Sequence, residues 1–134
     1  MRAFKAREIP IALRSGLLAA VVPLLVRSLP LPRVLSMVRP KHALCESSFK
    51  PDELARFARA VVRYAPRFGV GECLVRSVVL YNLLRASAYE PVLVVGGRLC
   101  DGEFDCHCWI EIDGKSLCES NDPRQSFKLF YTFI

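Results

Sequence analysis

The first 43 residues of this 134-residue chain hold one acid, Glu8, and one aromatic, Phe4. Eight basic residues (Arg2, Lys5, Arg7, Arg14, Arg27, Arg33, Arg39 and Lys41) stand against that acid, so the segment carries +7. Such a charge suits nucleic acid, a membrane surface or an acidic peptide. The shortage of aromatics among the basic residues argues against a single-strand nucleic-acid groove, where bases stack on rings. The basic residues are instead scattered among apolar ones, as on a helical region that faces a partner.

Other absences narrow the class further. No small-x-small cleavage site follows the apolar run from Gly16 to Val26. Pro23 interrupts that run and Arg27 ends it, unlike a secretory signal. Twelve residues separate Arg14 from Arg27, too few to span a bilayer as a helix. A core helix without stable membrane insertion is therefore expected, in a cytoplasmic protein. Its six cysteines (Cys45, Cys73, Cys100, Cys106, Cys108 and Cys118) are then mostly reduced. There is no Cys-x-x-Cys pair, no internal repeat and no low-complexity tract. Residues 44–134 are nearly balanced, with eleven basic and twelve acidic residues. At 52% hydrophobic and 24% charged, the chain has the composition of one globular domain over residues 1–134. Within it, 1–43 form a basic, apolar helical lead-in and 44–134 the core.

Apolar spacing predicts a helix over 10–28, bent or broken near Pro23 and ended by Pro30 and Pro32. Val34 to Val38 reads as a short helical turn and 39–50 as a connection. A helix starts near Pro51, with Asp52 and Glu53 facing its positive end, and stops at Tyr64-Ala65-Pro66. After the loop Arg67-Phe68-Gly69-Val70-Gly71, another helix runs from about Glu72 to Ala86, with Leu74, Val78, Tyr81 and Leu84 on one face. The period then changes. Strands are expected at Pro91–Val95, Asp105–Ile112, Lys115–Glu119 and Phe127–Ile134. Helices first and strands last give an α+β class with an antiparallel sheet.

Two residues carry the chemistry. Cys73 lies in the first turn of its helix, where free N–H groups and the helix dipole favour a thiolate. The two glycines before it let a substrate backbone approach. His107 sits in the strand Cys106-His107-Cys108-Trp109-Ile110-Glu111-Ile112. Together they are a cysteine nucleophile and its base. The bland alternative for Cys73 is a small buried hydrophobe.

The hairpin after His107 offers a third member. With a three-residue loop Ile112-Asp113-Gly114, Glu111 faces Lys115, Trp109 faces Leu117, Cys108 faces Cys118 and His107 faces Glu119. A two-residue Asp113-Gly114 turn instead sets His107 opposite Ser120 and moves Glu119 to the other face. The longer loop also pairs Glu111 with Lys115, opposite charges, and is preferred. Trp109 reads as core, Glu111 and Asp113 as a solvated edge and a turn, and Arg76 as an exposed residue or a substrate contact. Alternation sends Cys106 and Cys108 to the face opposite His107, against a shared metal among Cys106, His107, Cys108 and Cys118.

Cys73-Leu74-x-Arg76-Ser77, the helix end Leu83-Leu84-Arg85, the strand Val92-Leu93-Val94-Val95-Gly96, and His107-x-Trp109-Ile110-Glu111-x-Asp113-Gly114 resemble the leader peptidases of lasso peptide biosynthesis. The resemblance implies a transglutaminase-like, papain-like core with the nucleophile at a helix N-terminus. It implies a Cys-His-acid triad of Cys73, His107 and an acid at or near Glu119, where the family has Asp; Asp113 and Asp122 are lesser candidates. The family commonly has Ala after the histidine, where this chain has Cys108. The substrate implied is a ribosomal precursor peptide, cut between leader and core, whose core a separate ATP-dependent macrocyclase then closes. The chain is too short for a winged-helix leader-recognition domain. It resembles the split form, in which a separate leader-binding protein (a RiPP recognition element) delivers the substrate, and residues 1–43 are the expected contact. No metal, cofactor or nucleic acid is called for.

Overall fold

The computed structural model describes residues 9–40, 49–66, 69–117, 119 and 121–134. Four helices, α1 (Ile9–Ser28), α2 (Leu31–Val38), α3 (Pro51–Tyr64) and α4 (Glu72–Ala86), precede four strands. These are β1 (Val92–Cys100), β2 (Glu103–Ile112), β3 (Lys115–Leu117) and β4 (Lys128–Phe133), in one antiparallel sheet of order β3-β2-β1-β4. The α+β class read from the sequence is the observed one.

α4 is the centre. Ten of its residues, from Val75 to Ala86, are buried, more than the one face that its spacing marks. One side packs on α1 and α3, the other on β2. α3 is amphipathic and contributes Leu54, Ala55, Ala58 and Val62. Its first turn is closed by Lys50 N–H, which donates to the Glu53 carboxylate at 3.2 Å. Leu93 and Ile110 lie in the same cluster as α4, with Val95, Ile112, Leu117 and Phe133 against it. That set defines the sheet face turned to the helices. Strand alternation puts Val94, Gly96, His107, Trp109 and Glu111 on the opposite face.

α1 differs from its expected form in two ways. Pro23 does not break it: the helix is continuous over 20 residues with Pro23 inside. The count of twelve between charges therefore understates its reach, and by length and composition α1 could cross a membrane. Only Ser15, Ala19, Val22 and Pro23 are buried, while Leu13, Leu17, Val21 and Leu24 form an exposed apolar stripe. The inner side is pinned through Asn82 of α4. Arg14 Nε donates to Asn82 Oδ1 at 2.7 Å, and Asn82 Nδ2 donates to the Val38 carbonyl of α2. α2 is a full helix rather than a turn; Pro32 sits in its first turn, where a missing N–H costs nothing.

Both tight hairpins use Asp-Gly. Asp101 and Gly102 have φ of +52° and +78°, and Asp113 and Gly114 +52° and +77°, the two left-handed residues of a type I′ turn. The second turn therefore has two residues, not three: Ile112 faces Lys115, Glu111 faces Ser116 and Ile110 faces Leu117. The preferred register, with Glu111 opposite Lys115, is corrected by one position. The first turn extends β1 to Cys100, well beyond Val95. β3 in turn stops at Leu117, short of the expected Glu119. The pairing of Cys108 with Cys118, and residues Cys45, Arg67, Phe68 and Ser120, lie outside the described residues.

Gly96 is required by close approach. A Cβ there would stand 2.9 Å from the Trp109 ring and 3.0 Å from Phe127 Cβ. Trp109 is buried and cannot yield. Gly96→Ala is expected to cost about 1–3 kcal/mol, a fall in Tm of roughly 4–12 °C. Gly97→Ala meets only the rims of the exposed Phe104 and Phe130 rings, which can swing aside, and should cost less. Thermal melts of the two variants check this; equal losses would contradict it.

Candidate active site

Cys73 is the second residue of α4. The residue before the helix, Gly71, has no side chain to cap the first turn. The first turn of α4 carries Glu72 and the Cys73 thiol, whose sulfur lies 3.9 Å from where a Gly71 Cβ would stand. Cys73 is half-buried.

His107 belongs to a cluster of three rings, with Trp109 and Phe127 themselves 6.3 Å apart. Trp109 lies 5.8 Å away at an interplanar angle of 25°, and Phe127 5.2 Å away at 28°. Its Nε2 is 3.0 Å from Glu119 Oε1, a contact in which an Nε2–H donates to an ionised carboxylate. Nδ1 is then the ring nitrogen left for Cys73. Arg76 Nη2 reaches the same Glu119 oxygen at 3.3 Å.

The three groups predicted from sequence are therefore brought together, although not by the predicted pairing. Glu119 lies outside the ladder, beyond the end of β3, and meets His107 through its side chain. The lesser acids are elsewhere. Asp113 sits exposed in the type I′ turn, and Asp122 caps the 3-10 turn Pro123–Gln125 by accepting from Arg124 N–H at 3.0 Å.

The Cys73 thiol is drawn down to about 4. The Cys108 thiol, hydrogen-bonding to the sulfur, is the largest cause; His107 is the second; burial opposes both, and the Cys108 main chain and the His107 charge add to the lowering. His107 is raised to about 9, first by Cys73 and then by Glu119, against burial. Cys108 is itself pushed far up, first by its hydrogen bond to the Cys73 sulfur, then by burial and the Cys73 charge, so it stays protonated and donates. Between about 4 and about 9 the pair is a thiolate and an imidazolium.

Strand parity alone did not anticipate Cys108. It shares the face of Ile110, opposite His107, yet Cys73 contacts both. A sulfur that meets the His107 ring and the Cys108 main chain must lie at the edge of β2. Among the described residues, β3 pairs Ile110, Glu111 and Ile112 and no residue beside His107. Cys106 is exposed, and among the described residues no group of three or more His, Cys, Asp or Glu is placed to hold a metal ion.

Glu111 is not a solvated edge residue. It is buried and accepts from Trp109 Nε1 at 2.9 Å and from Arg124 Nε and Nη2 at 2.6 and 2.9 Å. Arg124 and then the indole hold its carboxyl below the usual carboxylate range, against burial. Glu111 thus fixes the indole that stacks on His107. No spacing rule announces this; the signal was a carboxylate two residues from a tryptophan on one face of a strand.

The family model of the transglutaminase-like superfamily matches residues 17–132, and the chain belongs to that superfamily. Its members are commonly cysteine peptidases or acyltransferases. No curated protein and no solved structure matches the chain.

Two outcomes follow. Alkylation of Cys73 by iodoacetamide, followed by mass spectrometry, should persist through mildly acidic pH and fall only as pH approaches about 4. Cys108→Ala and His107→Ala should each move that fall to higher pH; a wild-type midpoint near the ordinary thiol value would contradict the ion pair. Glu111→Ala leaves the buried indole N–H without its partner, at about 1–3 kcal/mol. Because the Glu111 carboxyl is depressed in the fold, its contribution is present above the ordinary carboxylate range and lost as pH falls through its lowered value. The variant should therefore show less acid-induced loss of Tm than wild type.

Proposed function

We propose that the chain is a cysteine peptidase that removes the leader from a ribosomally made lasso precursor peptide. The observation that carries the peptidase reading is the contact set of Cys73, His107 and Glu119, with the thiol ionised and the imidazole protonated. The Cys73 thiolate attacks the scissile carbonyl and forms a tetrahedral oxyanion. The Cys73 N–H, in the first turn of α4, is the expected donor to it. The imidazolium gives its proton to the leaving amine, the C–N bond breaks, and an acyl-enzyme remains. His107 then takes a proton from water, whose oxygen attacks the thioester and releases the acid. Glu119 stabilises the imidazolium and holds its tautomer, the role of a triad acid.

The substrate class rests on the resemblance of the Cys73-Leu74-x-Arg76-Ser77 and His107-x-Trp109-Ile110-Glu111 blocks to lasso leader peptidases. On that reading residues 1–43 meet a separate leader-binding protein or the leader itself. The exposed stripe Leu13, Leu17, Val21 and Leu24 of α1, in a segment of net +7, would supply an apolar, cationic contact. The enzyme then works in the cytoplasm as a single domain beside the ATP-dependent macrocyclase. Acyl transfer to an amine is the second reading, since water and amine compete for one acyl-enzyme.

The test is cleavage of a genomically neighbouring precursor peptide mixed with its leader-binding protein, followed by mass spectrometry. Cys73→Ala should abolish it and His107→Ala should slow it by on the order of 10²–10⁴-fold. Glu119→Gln should fall between wild type and His107→Ala. Cleavage that persists in Cys73→Ala overturns the assignment; a product joined to an added amine in place of free acid favours acyl transfer.

A further inference from the structure

Glu119 lies outside the strands: β3 ends at Leu117, and no ladder pairing includes residue 119. A carboxylate side chain has rotamer freedom to lose before it can orient anything. Among the described residues, two contacts fix it, and both fall on Oε1: His107 Nε2 at 3.0 Å and Arg76 Nη2 at 3.3 Å. The side chains of Arg76 and Glu119 are each 15% exposed, so their attraction is less screened than at an open surface.

Arg76 lies three residues after Cys73, one turn along the same face of α4. α4 is buried on nearly all sides, so both side chains start from one rigid frame. The chain of contacts α4–Arg76–Glu119–His107–β2 therefore closes a loop around the site. His107 alone would tie the acid to the strand; Arg76 ties it to the helix that carries the nucleophile.

From this geometry we infer that Arg76 is a positioning residue: it holds Glu119 against His107 and so fixes which ring nitrogen faces Cys73. The inference rests on the catalytic reading of Cys73, His107 and Glu119. A guanidinium has donors only, so the Glu119 oxygen it meets is an acceptor. His107 Nε2 must then donate to it, and Nδ1 is left toward the sulfur. This also accounts for an arginine in the Cys73-Leu74-x-Arg76 block without a substrate contact.

The test needs no peptide substrate. Cys73 alkylation by iodoacetamide is followed against pH in the full chain for wild type, Arg76→Ala, Arg76→Gln, Arg76→Lys, Glu119→Ala and the Arg76→Ala/Glu119→Ala double variant. The upper transition reports deprotonation of His107, the lower one protonation of Cys73. If Arg76 acts through Glu119, Arg76→Ala and Arg76→Gln lower the upper transition by about one pH unit, a tenfold change in the imidazolium equilibrium. Glu119→Ala lowers it at least as far, and adding Arg76→Ala to it changes the rate by less than about twofold. Arg76→Lys, which keeps the charge, restores part of the shift and serves also if Arg76→Ala fails to fold.

Three results overturn the inference. An upper transition that rises in Arg76→Ala means that Arg76 only repels the imidazolium. An undiminished effect on the Glu119→Ala background means that it acts on Cys73 directly. A profile identical to wild type means that Glu119 is held without it. If wild type itself lacks both transitions, the thiolate–imidazolium reading fails as well, which separates the two failures.

Discussion

The site depends on the packing of α4 against β2. α4 is buried on nearly every side, between α1 and α3 and the sheet, so its N-terminus has little freedom of position. Cys73 sits in its first turn, and the strand that α4 covers carries His107. A half-turn rotation of α4, or a one-residue slip of β2, would separate the thiol from the imidazole. The apolar contacts that bury Val75, Val78, Leu80, Leu83 and Leu84 thus hold the chemistry as well as the fold.

Around that contact the electrostatics are mutually reinforcing. An uncapped helix end favours negative charge on Cys73. A protonated Cys108 donates to the same sulfur, and the imidazolium lies beside it. Glu119 supports the imidazolium from the other ring nitrogen. Trp109 and Phe127 pack beside the ring, and the buried Glu111, paired with the exposed Arg124, restricts Trp109. Each layer limits the motion of the one inside it, as preorganised sites require.

Much of this was legible in the residues. Pro51 with Asp52 and Glu53, the helical spacing of Leu74, Val78, Tyr81 and Leu84, and the order of helices before strands led to the observed class. Cys73 at a helix start and His107 on a strand were readable from spacing. The hairpin register was not, because opposite charges at Glu111 and Lys115 outweighed the Asp113-Gly114 signal. Glu111 was in fact committed to Trp109 and Arg124, partners that no local pattern discloses. Asp101-Gly102 carried the same turn signal and marks a longer β1. Glu119 was found through a wrong register and reaches His107 only because it leaves the ladder. Cys108 escaped because strand parity describes faces, whereas the sulfur approaches an edge. Pro23 misled because tertiary packing on the inner side of α1 outweighs one lost backbone hydrogen bond.

The most direct measurement is the ultraviolet absorbance of the thiolate in native protein, as a difference between wild type and Cys73→Ala across pH. The account predicts one thiolate per chain, present throughout the interval from about 4 to about 9 and missing from the variant. A difference that appears only as pH nears the ordinary thiol value of 9.0 would contradict it, for Cys73 would then be a neutral thiol beside a neutral histidine.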